Sequence, residues 1–133
     1  MRKVAQIDNP MQPSTFIAFS AEQKLASACS DGTVRVWDFN RGQTQQQFTS
    51  SKEATCIDFA ESDEYMATGH KDGKVRLWSL STRRFIDELA SSPHSQLTSV
   101  VCSGYGDYIF ASSTDNKIYK LDKRTNRGPV CTF

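Results

Sequence analysis

Several things are missing from this chain, and each absence narrows what it is expected to be. No apolar run approaches the roughly 18 residues a membrane-spanning helix needs, so no membrane insertion is expected. The N-terminus, "MRKVAQIDNPMQP", is basic but lacks the apolar core of a secretory signal. Charge of one sign is lacking too. The 16 Lys and Arg stand against 15 Asp and Glu, leaving a net charge of +1. That is too little to pull the chain toward anionic lipid, and no nucleic acid is expected as a partner. There is no helical periodicity of useful length. None of the four cysteines, Cys29, Cys56, Cys102 and Cys131, forms a C-x-x-C pair, so neither a zinc site nor a redox motif is suggested. No nucleophile–base pair, metal-ligand spacing or glycine-rich phosphate loop stands out. The expectation is therefore a protein that is not an enzyme, with no catalytic residue, no metal and no cofactor.

Within 133 residues, 38% are apolar and 23% charged, which suits a globular domain rather than a disordered chain. Cys29, Cys56 and Cys102 lie inside apolar, strand-like runs, where small buried thiols are expected. Free thiols fit a reducing compartment, so a cytoplasmic location is expected.

The dominant feature is a repeat. "SDGTVRVWD", Ser30 to Asp38, returns as "KDGKVRLWS", Lys71 to Ser79. Asp31-Gly32 and Trp37 recur as Asp72-Gly73 and Trp78, each 41 residues on. A third copy, "TDNKIYKLD", puts Asp115-Asn116 in the turn and Leu121 where tryptophan would fall. Before each copy come two apolar runs: "STFIAFS" and "KLASACS", then "ATCIDFA" and "YMATGHK", then "LTSVVCS" and "YIFASST". After each comes a less apolar run: "QTQQQF", "RFIDEL" and "GPVCTF". Alternation of period two, β-branched and aromatic residues, and Asp-Gly or Asp-Asn turns make each unit four short strands, a to d.

Repeats of about 40–45 residues with four strands and a Trp-Asp ending resemble the WD-repeat β-propeller family. "LASACSDGTVRVWD", "MATGHKDGKVRLWS" and the weaker "FASSTDNKIYKLD" carry the likeness. It implies an all-β fold of three four-stranded antiparallel WD-type propeller blades. The expected boundaries are 1–13 for a leading outer strand and linker, 14–48 for blade 1, 49–89 for blade 2 and 90–133 for blade 3. A narrower resemblance, carried by "TGHKDGKVRLW" and "DKRTN", is to the C-terminal propeller of the autophagy-related Atg16 family.

Members of the WD-repeat family often link a turn Asp, a strand-b hydroxyl, the strand-c Trp and a His of the d–a loop through hydrogen bonds. The resemblance implies Ser27, Asp31 and Trp37 in the first unit, and Thr68, Asp72 and Trp78 in the second. In the third it implies His94, Asp115 and Ser112, with a b–c turn one residue shorter. His70, beside the second turn, reads as a surface or packing histidine.

The d-type runs end at Phe48, Leu89 and Phe133, and the same step back from Phe48 reaches Ile7 in "RKVAQI". The chain therefore reads as one outer strand, Lys3 to Ile7, then three full units. Three units do not close a ring of 4–8 blades. The expectation is an incomplete ring: a piece of a longer protein, a short gene product, or part of a ring completed by self-association or by blades of another chain. The function expected is a non-catalytic scaffold for protein partners. Its candidate contacts are Ser30, Lys71 and Thr114, flanked by Ser50 to Glu53 (Lys52 and Glu53 among them) and by Ser91 to Gln96. The alternative is a structural subunit lending blades to a larger assembly.

Overall fold

The computed structural model describes residues 14–20, 23–38, 43–62, 64–104, 107–125 and 128–133. All regular elements among them are strands. The first sheet runs β1 (Ser14–Phe19), β2 (Lys24–Cys29), β3 (Thr33–Asp38) and β4 (Gln43–Thr49). The second runs β5 (Ala54–Phe59), β6 (Tyr65–His70), β7 (Lys74–Ser79) and β8 (Arg84–Ala90). The third runs β9 (Leu97–Cys102), β10 (Tyr108–Ser113), β11 (Ile118–Asp122) and β12 (Cys131–Thr132). In each sheet the strands pair in chain order and antiparallel. The expected leading strand, Lys3 to Ile7, lies outside the described residues.

The b–c turns need backbone with positive φ, which glycine adopts without strain. Gly32 and Gly73 supply it at φ 86° and 78°, and Asn116 takes the same place at φ 64°. The third turn is not shorter than the others. Met66 pairs with Trp78 and Ile109 with Leu121, and Asp72 and Asp115 fall at the same spacing before those two partners. The position matching Thr68 is therefore Ala111. Ser112 points to the opposite face, where its hydroxyl meets Thr98 Oγ1 at 2.8 Å.

Alternate side chains build two cores, one at each junction between sheets. Ala26, Ala28, Val34, Val36 and Phe48 of the first sheet pack against Ile57, Phe59, Met66 and Trp78 of the second. Cys56, Ala67, Val75, Leu77 and Leu89 on the second sheet's other face pack against Leu97, Val100, Ile109, Ala111 and Leu121 of the third. The first strands lie side by side along one rim, β1 near β5 and β5 near β9. They are stitched there: Cys102 N–H donates to Asp58 Oδ2 at 2.7 Å, and Thr55 Oγ1 donates to the Leu97 carbonyl at 2.5 Å.

The arrangement is an open arc. Backbone pairing makes Ile17 and Phe19 the counterparts of Ile57 and Phe59. In the second sheet these are 3% and 7% exposed, covered by the first sheet; in the first they are 62% and 55% exposed. The outer face of the third sheet likewise exposes Val101, Ile118 and Val130.

Candidate functional site

The b–c turns and the d–a connections form one continuous shelf along one end of the strands. Ser50 N–H donates to the Gly32 carbonyl at 3.0 Å, and Lys71 N–H to the Glu53 carbonyl at 3.1 Å, so the connection at 50–53 ties the first turn to the second. Ser92 N–H donates to the Gly73 carbonyl at 3.0 Å and Thr114 N–H to the Gln96 carbonyl at 2.9 Å, which ties the second turn to the third. Only glycine fits at Gly73, because a Cβ there would sit 1.6 Å from the Ser92 carbonyl oxygen.

Beneath the shelf lies a directed chain of hydrogen bonds in the second sheet. Trp78 Nε1–H donates to Thr68 Oγ1 at 2.8 Å. Thr68 Oγ1 lies 2.7 Å from His70 Nε2, and His70 Nδ1 lies 2.9 Å from the Lys52 carbonyl. A carbonyl only accepts, so Nδ1 carries the proton and Nε2 accepts from Thr68. Each group in this buried chain thereby has a partner, which avoids about 1–3 kcal/mol for each one otherwise left unpaired. Burial, first, and the nearby Arg76 cation, second, push the His70 imidazole down to about 4, against the Lys52 bond, which favours the proton. His70 is thus a fully buried member of the network and no surface residue.

The turn aspartates do different work from that expected. Asp72 takes two bonds from Arg76, at 3.2 and 2.7 Å, and one from Lys74 N–H. Burial alone would raise its carboxyl, but the Arg76 guanidinium outweighs this and holds it below its ordinary value. Arg76 also reaches Glu88 at 3.0 Å, and Glu88 reaches Lys74 at 2.5 Å. Asp31 accepts from the Thr33 hydroxyl and backbone N–H, which lower its pKa. Asp115 accepts from the Tyr119 hydroxyl, chiefly, and from Ser92 Oγ, and is lowered as well.

In the first sheet Trp37 Nε1–H donates to Ser27 Oγ at 2.9 Å, and both residues are buried. No hydrogen bond among the described residues joins a turn aspartate to its sheet's tryptophan–hydroxyl pair. In the third sheet that pair is replaced by Leu121 and Ala111, both in the apolar core. His94 is exposed in its turn and is not bonded to Asp115 among the described residues. Ser30, Lys71, Thr114 and Lys52 are exposed on the shelf, and Glu53 is half-buried, with Lys71 Nζ at 2.6 Å from its carboxylate.

The sequence profile of the WD domain, G-beta repeat, matches residues 12–38 and 42–79, the first two units. The fold agrees at full length. The chain superimposes on the structure of U3-55K with a TM-score of 0.86 at 12% identity, covering 96% of this chain and 41% of that one. It does so on the RRP9 WD40 repeats with a TM-score of 0.85 at 13% identity, covering 96% and 40%. The chain belongs to the WD-repeat β-propeller family.

Its three sheets are thus propeller blades. Among WD-repeat proteins of Arabidopsis thaliana, the chain is 35% identical over 112 residues to Protein SUPPRESSOR OF PHYA-105 1, covering 82% of this chain and 11% of that protein. It is 33% identical over 107 residues to Autophagy-related protein 16, covering 79% and 20%. The chain therefore spans a small part of each relative's length. Propellers of this family generally mediate protein interactions and assembly, and they are typically non-catalytic.

Proposed function

We propose that the chain is a non-catalytic protein-interaction module whose contact surface is the loop shelf. The observation that carries this reading is the shelf itself. Ser30, Lys71 and Thr114 project from three successive turns that backbone bonds lock to the connections between blades. A rigid backbone with adaptable polar side chains lowers the ordering cost of binding a protein partner. Lys52 and Glu53 extend the surface between the first two turns. A cytoplasmic setting suits the free thiols, of which Cys29 and Cys56 are buried. The two plant relatives match the chain about equally, so the likeness supports the shared blade architecture and favours neither protein's pathway.

Photo-crosslinking residues placed singly at Lys71 and Thr114, with Gln47, exposed on β4, as control, test the reading. Protein adducts are expected from the two shelf positions. Equal adduct formation from Gln47 would refute it.

A second reading rests on a separate observation, the exposure of Ile17 and Phe19 where Ile57 and Phe59 are covered. It makes the chain a structural subunit whose end blades are covered by a second copy or by blades of another polypeptide. Monomers rarely expose such contiguous apolar faces. Light scattering on the purified chain checks it: self-association at micromolar concentration is expected in the absence of another partner, and a stable, soluble monomer would overturn it.

A further inference from the structure

The two junctions between blades are built alike, so each position at one has a counterpart at the other. After β7, Leu80 N–H bonds to the Glu64 carbonyl at 3.1 Å; after β11, Lys123 N–H bonds to the Asp107 carbonyl at 2.7 Å. Leu80 and Lys123 are therefore equivalent. Leu80 is buried in the apolar cluster of the first junction, and Gln46 Nε2 reaches across from β4 to donate to its carbonyl at 2.8 Å. At the second junction a lysine stands in that place. Its ammonium cannot enter an apolar slot without a large desolvation cost. It turns instead over the Tyr65 ring, 4.5 Å from the centroid, and toward Asp107 at 3.5 Å.

What Leu80 fills at the first junction stays open at the second as a groove of about 580 Å³. Leu77 and Tyr65 line it, and Ile86 of β8 borders it at 50% exposure. We propose that this groove docks an extended peptide segment of a partner protein, one carrying a leucine-like side chain beside a carboxylate.

Three observations choose that occupant. The first junction shows that a leucine fills the matching space. The lining holds two cations, Lys123 and Arg124, against one anion, Glu64; the carboxylates that pair with those cations, Asp107 and Asp122, lie outside the lining, so an acidic segment complements the face they leave. Asp122 grips Arg124 through Nε at 3.0 Å and Nη2 at 2.8 Å, which orients the guanidinium. Finally, β8 is the last strand of its sheet, and no strand among the described residues pairs with its outer edge, where an extended chain could add. It exposes Phe85 and Ile86. The groove lies at the end of the strands away from the loop shelf, so it stands or falls independently of the function proposed above.

The test uses fluorescence anisotropy with a labelled EDLLDE peptide, and with EDGGDE and KKLLKK as controls. The full chain is expected to bind EDLLDE at least tenfold more tightly than either control. Lys123→Leu, which supplies the missing plug, and Ile86→Arg, on an exposed position, are each expected to weaken that binding at least tenfold. Gln47→Glu, at an exposed position of β4, should leave it unchanged. Thermal unfolding verifies that the variants are folded, and Lys123→Leu is expected to unfold at a higher temperature than the parent chain. In the parent chain, methyl-labelled NMR should show the peptide moving the Ile86 signal and not that of Ile17. Equal affinity for EDLLDE and either control, parent-like binding by folded Lys123→Leu and Ile86→Arg, or an unmoved Ile86 methyl would each overturn the proposal.

Discussion

Acidification should loosen this fold through one side chain. His70 accepts a hydrogen bond at Nε2 from Thr68, which in turn accepts from Trp78. A proton on Nε2 would force the Thr68 hydroxyl to donate to the more distant Arg76 carbonyl, 3.4 Å away, and place a cation beside Arg76 in a fully buried site. The folded protein therefore holds this proton more weakly than the unfolded chain, with its pKa brought from 6.5 to about 4. Between those values the unfolded chain carries more protons, so stability falls as pH falls through the window. It is complete above pH 6.5. At about 1.4 kcal/mol per tenfold change in proton affinity, the full effect is about 3 kcal/mol. That is a large share of the 5–15 kcal/mol typical of a domain. Asp31, Asp72 and Asp115 are lowered and Asp122 lies at about 2, so those carboxylates act below the window. Asp58, raised by burial, works in the opposite direction. Urea unfolding followed by tryptophan fluorescence at pH 7.0, 6.0, 5.0 and 4.5 measures the slope, and His70→Asn isolates its source. The variant keeps every other titrating group and should show a flatter profile, whatever its absolute stability. Parallel profiles for the two proteins would refute the reasoning.

Trp37→Ala and Trp78→Ala should each destabilise the chain by about 3–5 kcal/mol, since both rings are buried and Trp78 also packs on Phe48 at 5.3 Å and Phe85 at 5.4 Å; an unchanged thermal midpoint would contradict this. Gly73→Ala should cost well above the about 1–2 kcal/mol of a left-handed backbone alone, whereas Gly128→Ala, with φ 85° and nothing near its Cβ, should cost no more than that in a denaturant titration. Ile57→Ala should cost about 2–5 kcal/mol and Ile17→Ala less than about 1 kcal/mol, because the same position is covered in one blade and open in the other. Equal costs in chemical denaturation would mean that the first blade has no open face.

The strand pattern was legible because period-two alternation and Asp-Gly turns are local signals, and each unit repeats them. Trp37 with Ser27 and Trp78 with Thr68 could be paired for the same reason: their spacing recurs. His70 escaped because the family pattern directs attention to the d–a loop at 50–53, whereas the histidine stands two strands later, at the end of β6. The usable signal was parity. His70 is two residues beyond Thr68 on one strand, so both side chains face the same side. Parity also decides the third unit, where the hydroxyl of Ser112 drew the assignment and Ala111 holds the position. Once Leu121 removes the indole donor, a hydroxyl there would have nothing to accept from, and an apolar pair leaves no polar group unsatisfied. The groove beside Lys123 was not legible, because the equivalence of Leu80 and Lys123 depends on the register of two separate sheets.

The second blade alone has a neighbour on each face among the described residues, and all of β6 is buried. In an array where each unit touches only its neighbours, an end unit separates by breaking one junction and a middle unit must break two. Opening is then graded from the ends inward. Amide hydrogens of β1 and β12 should exchange early, while those of Met66 and Thr68 should wait for near-global unfolding. A protease cut within 91–96 would leave the third blade held by its noncovalent junction alone, and its departure would convert the second into a new end, with Leu77 and Leu89 newly wet.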